Sequence, residues 1–205
     1  MRRVIGIGET ILDILFKNNQ PTVAVPGGSV FNGLVSLGRA GVNVTFISEV
    51  GGDRVGEIIL NFMKDNGICT DNVMVYPERK SPISLAFLND KNDAEYSFYK
   101  DYPTLRLDVD MPEVTSEDIV MFGSFYAITP QLRDKVKELL DKARKVGAII
   151  YYDVNFRSTH AHEAIKLMPT ILENFEYADI VRGSNEDFGN MFGMTEADKV
   201  YQHKV

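Results

Sequence analysis

One acidic side chain interrupts an apolar run close to the start of the sequence. Asp13 stands between Ile11, Leu12, Ile14 and Leu15, and a carboxylate in such surroundings needs hydrogen-bond donors. Two adjacent hydroxyls of a sugar would provide them. A solvent-facing acid on an edge strand would account for the same residue, so the pattern by itself leaves both interpretations open.

A glycine pair and an amide follow at the start of a predicted helix. Gly27 and Gly28 carry no Cβ, so a ligand can approach their backbone closely. Ser29 is the predicted N-cap, and Asn32 lies one turn into the helix. Backbone donors at a helix start, together with an amide, suit a polyhydroxylated or anionic ligand. A glycine-rich connection to an ordinary packing helix is the alternative.

A third polar set ends the apolar run 148–154, which predicts a strand buried on both faces. Asp153, Asn155 and Arg157 alternate, so an extended chain would place all three on one side. Open α/β sheets bind ligands beyond the carboxyl ends of their strands. Such a set can orient a sugar, a phosphate or a hydrated magnesium ion, and a structural Asp–Arg pair is the alternative.

The next predicted strand-to-helix junction carries Asn185, Glu186 and Asp187. An N-cap asparagine followed by acids that the helix dipole favours explains these residues without any ligand.

The elements that position these residues alternate between strand and helix over most of the chain. This alternation predicts a three-layer α/β/α fold with a mainly parallel sheet. Strands are predicted at 4–9, 11–16, 23–26, 42–50, 73–76, 83–88, 95–99, 119–122, 148–154 and 179–181. Helices are predicted from Ser29, at 53–66, from Pro130 with Thr129 as its cap, at about 161–175, from Asn185, and after the capping box at 195–198.

Two β-rich segments interrupt the alternation. The runs 83–88 and 95–99 are joined by a polar turn and predict a hairpin. We expect the strands at about 11–25 and 82–100 to form a small sheet apart from the main one. Ile83, Leu85 and Phe87 would share one face of it, and an isolated sheet with an apolar face needs a cover.

Bulk composition narrows the possible partners. The 205 residues carry a net charge of −7 without a Lys/Arg run, which disfavours nucleic acid and anionic membranes as partners. No apolar stretch has the length of a membrane span, and the first residues predict a strand rather than a signal peptide. Cys69 is the single cysteine, which excludes an intrachain disulfide and fits a reducing cytoplasm.

The stretch from Pro26 to Glu57, P-G-G-S-V-F-N-G continuing to G-G-D-R-V-G-E, resembles the N-terminal signature of the ribokinase-like sugar kinases, the pfkB family. The resemblance implies that Asp13, Gly27, Gly28 and Asn32 bind sugar hydroxyls. A nucleoside would need an aromatic ring for stacking, which Phe98, Tyr99 or Tyr102 could offer. A sugar acid would need a cation, which Arg157, Lys100 or Arg106 could offer. From these we select Tyr99 and Arg157 as further substrate-binding candidates.

The same resemblance extends to the cleft between sugar and nucleotide. D-V-N-F-R is similar to the family's D-x-N-x-R, with Val154 where proline is usual, and implies nucleotide-side roles for Asp153 and Asn155. N-E-D-F is similar to the family's N-x-x-E, which implies that Asn185 contacts the nucleotide and, with Asp187, a magnesium ion. Phe188 occupies the position where the family has glutamate.

The family's catalytic base lies in a G-A-G-D motif, and no G-x-G-D occurs in these 205 residues. We therefore expect the chain to be the N-terminal two-thirds of such a kinase, with the base beyond Val205 and no activity in the 205 residues alone. The resemblance also implies a homodimer formed through the small-sheet lid.

The function that the resemblance implies is transfer of the γ-phosphoryl group of ATP to a sugar hydroxyl with the help of magnesium. Fructose is the first expected substrate, 2-keto-3-deoxygluconate the second, and a nucleoside the third. The alternative of another class is a non-catalytic sugar-binding regulatory protein built on the same fold.

Overall fold

A parallel sheet of seven strands runs through the chain in a computed structural model that describes residues 2–89, 94–156 and 163–204. Every pairing in this sheet is parallel among those residues. Its order is β11 (Ile180–Arg182), β10 (Ile149–Asp153), β9 (Ile119–Gly123), β1 (Val4–Ile7), β4 (Val44–Gly51) and β5 (Ile68–Cys69), with β6 (Val73–Tyr76) pairing the later part of β4. The predicted parallel α/β sheet is confirmed.

Helices cover both faces because alternate strand residues are apolar on both sides. In β1, Val4 packs into one core cluster, while Ile5 and Ile7 pack into the other. The first cluster is closed by α1 (Ser29–Arg39) and α2 (Arg54–Asp65). The second is closed by α3 (Arg133–Val146) and α4 (Ala164–Tyr177), and α5 (Asn185–Phe192) contributes Met191 to it before α6 (Ala197–Lys204).

The predicted helix starts are right to within a few residues, but two predicted caps are wrong. The N-cap of α1 is Gly28, and Ser29 is already helical. Ser184, not Asn185, caps α5. In both cases a neighbouring residue meets the backbone requirement, which helical spacing alone does not resolve. Thr129 holds its predicted N-cap position before Pro130, but the helix it precedes is a short 3₁₀ turn ahead of α3, and its hydroxyl donates to the Phe125 carbonyl instead of capping.

The second sheet is present, and we call it the small sheet. Its four strands follow the order β3 (Gln20–Gly27), β2 (Ile11–Lys17), β7 (Ile83–Leu88) and β8 (Ala94–Tyr99). The outer pairs are antiparallel, and the central pair β2–β7 is parallel. The small sheet therefore joins two segments that are distant in sequence, directly after β1 and directly before the return to the main sheet.

Candidate active site

The Asp13 carboxylate lies on one face of the small sheet, partly buried. Asp13 is in register with Ser84 of β7, and the Ser84 hydroxyl donates to its Oδ1. Gly27 lies against the other oxygen, since a Cβ built there would stand 2.4 Å from Asp13 Oδ2. Burial raises the pKa of Asp13, the Ser84 hydrogen bond lowers it, and the charge of Glu9 raises it. Asp13 is thus held in place by the protein yet incompletely solvated.

Strand register decides which aromatic residue shares the face of Asp13. Ser84 pairs with Phe98, whereas Tyr99 pairs with Ile83. Directly opposed residues point to the same side of a sheet, so Phe98 lies on the Asp13 face and Tyr99 on the opposite one. Phe98 is 56% exposed. The register therefore brings Phe98, and not the predicted Tyr99, to Asp13.

Tyr99 instead lines an open groove of about 540 Å³ beside α2. Its lining also includes Asp53, Ser81, Phe98 and Lys100, and neither Asp13 nor Asn32. The Asp53 carboxylate is fully engaged there, because it accepts from Gly56 N, Ser81 N and the Ser81 hydroxyl. The groove therefore includes Tyr99 and Phe98 but not Asp13 or Asn32.

The glycine loop makes the close backbone approach that its sequence predicts. Gly28 has a φ of 141°, and a Cβ there would stand 2.3 Å from the Glu9 carbonyl oxygen. No other residue type fits this conformation and this contact. The backbone N–H of Asn32 donates to the Gly28 carbonyl oxygen at 2.9 Å, which leaves the exposed Asn32 side chain out of this bond. Gly27 ends β3, the strand that pairs with Asp13's strand β2, and Gly28 leads from it into the helix that carries Asn32.

Glu9 is a charged residue at this edge that the sequence analysis did not single out. Its Oε1 accepts from Lys100 Nζ at 2.7 Å and from the Tyr102 hydroxyl at 2.6 Å. Lys100 Nζ also lies 5.4 Å from the centre of the Phe98 ring. Glu9 lies two residues beyond the end of β1, so a carboxylate just past the carboxyl end of a central strand was the available signal.

Asp153 and Asn155 do not form the alternating set that was predicted. The chain leaves the extended conformation after β10, and Asn155 has a φ of 41°. Asn155 Nδ2 donates to Ser124 Oγ at 3.1 Å, and Ser124 has a φ of 57°. Ser124 and Asn155 thus both have a positive φ at the ends of neighbouring strands. Non-glycine residues with such backbone angles are found preferentially at functional sites. Arg157 lies outside the described residues.

Among the described residues, Asp153 pairs with Ser29 and Arg182, and the Asn155 amide pairs with Ser124 instead. Ser29 Oγ donates to Asp153 Oδ2 at 2.5 Å, and Arg182 Nη1 donates to Oδ1 at 2.9 Å. The hydrogen bond and the charge of Asp153 raise the pKa of Arg182. Both carboxylate oxygens of the buried Asp153 therefore take part in contacts between elements.

The acidic junction of α5 is built as a helix cap. Asp187 Oδ2 accepts from Ser184 N and Ser184 Oγ, which completes a capping box. Asn185 Oδ1 accepts from Glu186 N. Phe188 stacks on Phe192 beside the core and lies against Gly183. The side chain at the family's glutamate position therefore serves packing.

The part of the chain that the structure describes contains neither a candidate metal cluster nor a membrane-spanning helix. Within 2–89, 94–156 and 163–204, no three His, Cys, Asp or Glu residues are grouped so as to hold a metal ion. Over the same residues, no helix combines the length and the apolar character needed to cross a bilayer.

The fold and this polar edge define an α/β protein in which a small sheet stands over the carboxyl ends of a parallel sheet. The chain belongs to the pfkB family of carbohydrate kinases, which it matches over residues 1–204.

Its relatives are sugar kinases of greater length. The probable chloroplastic fructokinase-6 of Arabidopsis thaliana is 26% identical across 98% of this chain and 55% of its own. A 5-dehydro-2-deoxygluconokinase of Clostridium perfringens is 30% identical across 84% of this chain and 52% of its own. The structure of fructokinase from Vibrio cholerae O395 with fructose, ADP and calcium bound matches with a TM-score of 0.83 at 19% identity, across 98% of this chain and 66% of that one. The chain thus spans about half to two thirds of the length of these relatives.

Proposed function

We propose that this chain is the sugar-binding part of an ATP-dependent sugar kinase whose acceptor is fructose. The observation that carries the proposal is the arrangement around Asp13 in a chain of the pfkB family. A partly buried carboxylate stands beside Gly27 and Ser84, on the same sheet face as an exposed Phe98. A polyhydroxylated ring offers both the donors that the carboxylate needs and an apolar C–H face for the aromatic ring.

Each residue of the site has a role that follows from its chemistry. Asp13 accepts hydrogen bonds from adjacent sugar hydroxyls, and Asn32 offers both donors and an acceptor through its amide. Gly27 and Gly28 let the ring approach the backbone, because a side chain at either position would fill that space. Phe98 covers the ring from the small sheet. Proximity and orientation are what such residues contribute to a transfer reaction.

The nucleotide side is supported by fewer side chains. Asn155 and Asn185 are the candidates, as polar residues at the ends of β10 and β11, and ATP is the donor that family membership favours. The described residues do not fit a direct magnesium site, since Asp187 is committed to its cap and Phe188 carries no ligand atom. We therefore assign no step of the reaction to a metal held by these residues.

A sugar acid is the second candidate substrate. The 5-dehydro-2-deoxygluconokinase relative is more similar in identity than the fructokinase relative, at 30% against 26%. Lys100 lies beside Phe98 near the Asp13 face and would attract a carboxylate once released from Glu9. A kinase for 2-keto-3-deoxygluconate or a similar acid is therefore the alternative to a fructokinase.

The opposite face of the small sheet supports a homodimer as part of this proposal. Phe16 and Phe87 stack there with ring centres 4.9 Å apart, and Ile14 and Leu85 are in register on the same face. Phe87 remains 37% exposed. A second copy of the same face would remove these side chains from water, which is how isolated small sheets gain stability.

The test compares the 205-residue chain with the chain extended through its reading frame. Fructose affinity is measured by calorimetry for both, and ADP release is measured with fructose or 2-keto-3-deoxygluconate and magnesium-ATP. We expect both chains to bind fructose and only the extended chain to turn over. Preference for the sugar acid supports the second candidate. Fructose binding without turnover by the extended chain supports the non-catalytic alternative, and absence of binding to both compounds contradicts the proposal.

A further inference from the structure

One hydrogen bond connects the start of α1 to the end of β10 across 124 residues of sequence. Ser29 follows Gly28 directly and is the first residue of the helix, and its hydroxyl donates to Asp153 Oδ2 at 2.5 Å. A serine at a helix start usually caps its own backbone. Here no side chain caps α1, and the Ser29 hydroxyl is used between two elements instead.

Asp153 is a fixed point for this contact. Its side chain is 6% exposed, and its other oxygen accepts from Arg182 of β11. Its backbone oxygen accepts from Ser124 N at 2.9 Å, and a Cβ at Gly123 would stand 1.9 Å from that oxygen. The ends of β9 and β11 therefore hold Asp153 from both sides of β10.

The glycine loop is held from its other side by the end of β1. Gly28 presses against the Glu9 carbonyl oxygen, and Gly27 lies against the Asp13 carboxylate. Neither glycine has a side chain with which to fix its own position. Ser29 is thus the first side chain after the pair that can fix the loop, and Asp153 is what it binds.

We propose that Ser29 and Asp153 are positioning residues that set the Gly27–Gly28 loop in the geometry required to bind the sugar. The inference rests on the proposed function, because it concerns the affinity of the same site. It gives Asp153 a task other than binding the nucleotide or accepting a proton. It also links the sugar loop to β10 and β11, the strands next to which the nucleotide side is placed.

The experiment measures fructose affinity and local amide exchange in the 205-residue chain. Ser29→Ala removes the hydroxyl at the loop, and Ser36→Ala removes an exposed hydroxyl of the same helix that bonds only to the Asn32 carbonyl. Because the lost bond has a charged acceptor, we expect Ser29→Ala to weaken fructose binding about tenfold. Amide exchange over residues 27–32 should increase with it, while Ser36→Ala changes neither.

A second pair of variants separates positioning from general stability. Asp153→Ala should weaken fructose binding as Ser29→Ala does, and the double variant should be no weaker than Asp153→Ala alone, since both changes remove one interaction. Arg182→Ala, which leaves the Ser29 bond intact, should have a smaller effect. Melting temperatures identify any variant that has lost its fold.

Three results decide the matter. Unchanged fructose affinity in a folded Ser29→Ala chain overturns the inference and leaves the proposed function standing. Additive losses in the double variant overturn it equally. If the unmodified chain binds neither fructose nor 2-keto-3-deoxygluconate, the proposed function fails, and the role in sugar binding fails with it. Amide exchange over residues 27–32 then reports only on whether the Ser29–Asp153 hydrogen bond orders the loop.

Discussion

Asp13 combines a proposed role in sugar binding with an unfavourable environment, and one substitution can separate the two. Asp13→Asn keeps the size of the side chain but removes the charge that accepts sugar hydroxyls. We expect fructose affinity to fall about 100-fold, as for the loss of two hydrogen bonds to a charged group. The same variant should melt at a higher temperature at neutral pH, because burial raises the pKa of Asp13 and so disfavours its ionised form. Calorimetry and thermal melts check the two effects.

The pH dependence of this prediction has a defined sign. The pKa of Asp13 is higher in the folded than in the unfolded state. Asp13 therefore makes its full contribution to stability at pH values below the unfolded-state pKa. This contribution is lost as the pH rises through the folded-state pKa. The melting advantage of Asp13→Asn should therefore shrink as pH is lowered. Fructose affinity of the unmodified chain should fall over the same range. A melting advantage that persists at acid pH would contradict this account.

Phe98 and Tyr99 offer a matched test of the register of the small sheet. They are adjacent aromatic residues of equal exposure, 56% each, on opposite faces. We expect Phe98→Ala to weaken fructose binding about tenfold through loss of apolar contact with the ring. Tyr99→Ala should leave affinity within about twofold. Equal losses in both variants would show that the site extends around the strand edge.

The residues that sequence could identify are those whose local context is unusual. Asp13 stands out because its neighbours are apolar, and Gly28 because it precedes a helix. Phe98 and Ser84 could not be assigned, because the choice between Phe98 and Tyr99 depends on a register between strands that spacing does not fix. Ser29 and Asp153 could not be paired, because 124 residues separate them.

At the scale of elements, the glycine loop has the sharpest structural requirement. Gly28→Ala forces a non-glycine residue to a φ of 141° and places its Cβ 2.3 Å from the Glu9 oxygen. We expect the free energy of unfolding to fall by about 2–4 kcal/mol. Gly41→Ala is the control, because its φ is 78° but no atom lies within 4 Å of its Cβ. That variant should cost about 1 kcal/mol. Urea denaturation measures both, and similar losses would contradict the role of the Glu9 contact.

Periodicity and turn residues were sufficient for most elements, because these signals are local. The strands 119–122 and 83–88 and the helix 53–66 were predicted within one residue of β9, β7 and α2. The short β5 was missed, since Ile68–Cys69 gives no alternation to read. Partial exceptions such as the 3₁₀ turn at Pro130–Leu132 arise from local hydrogen bonding that a helical pattern does not distinguish.

The small sheet has two faces with different expected tasks, and charge can probe them separately. Phe87 stacks on Phe16 on the face opposite Asp13, and Tyr96 stacks on Phe98 on the Asp13 face. Phe87→Lys should convert a dimer to a monomer, because a buried unpaired charge is costly at an apolar interface. Tyr96→Lys, on a residue 53% exposed, should not. Light scattering at micromolar concentration checks the masses. A monomeric unmodified chain would contradict the dimer.

At the scale of the whole molecule, a buried polar network ties the small sheet to the main one. Glu49, at the end of β4, accepts from Arg106 and from the Tyr76 hydroxyl. The Arg106 guanidinium lies 3.6 Å from the centre of the Tyr102 ring, and the Tyr102 hydroxyl reaches Glu9. The segment that leaves β8 is thus fixed to the ends of β1 and β4. The position of Phe98 on the Asp13 face therefore depends on these contacts with the main sheet.

Apolar side chains are exposed at the opposite edge of the main sheet. β11 pairs only with β10 among the described residues, and Ile180 is 47% exposed. A hollow of about 500 Å³ lies between α4 and α5, lined by Ile165, Met168, Pro169, Leu172 and Met191. An exposed strand edge and an apolar hollow each favour association between copies. None of the predicted sugar-binding residues that the structure describes lines the hollow, and we expect this surface to limit the solubility of the chain.

Ile165 is the most exposed large apolar side chain of that surface, at 93%. We expect Ile165→Lys to reduce concentration-dependent light scattering of the 205-residue chain, because it places a charge where apolar surfaces would meet. Ile58→Lys is the control. Ile58 is also an exposed isoleucine, at 44%, but it lies on α2, which covers the opposite face of the main sheet. The same substitution at Ile58 should leave scattering unchanged while adding an equal charge. If both variants reduced scattering alike, net charge would explain the effect, and the apolar surface formed by α4 and α5 would not.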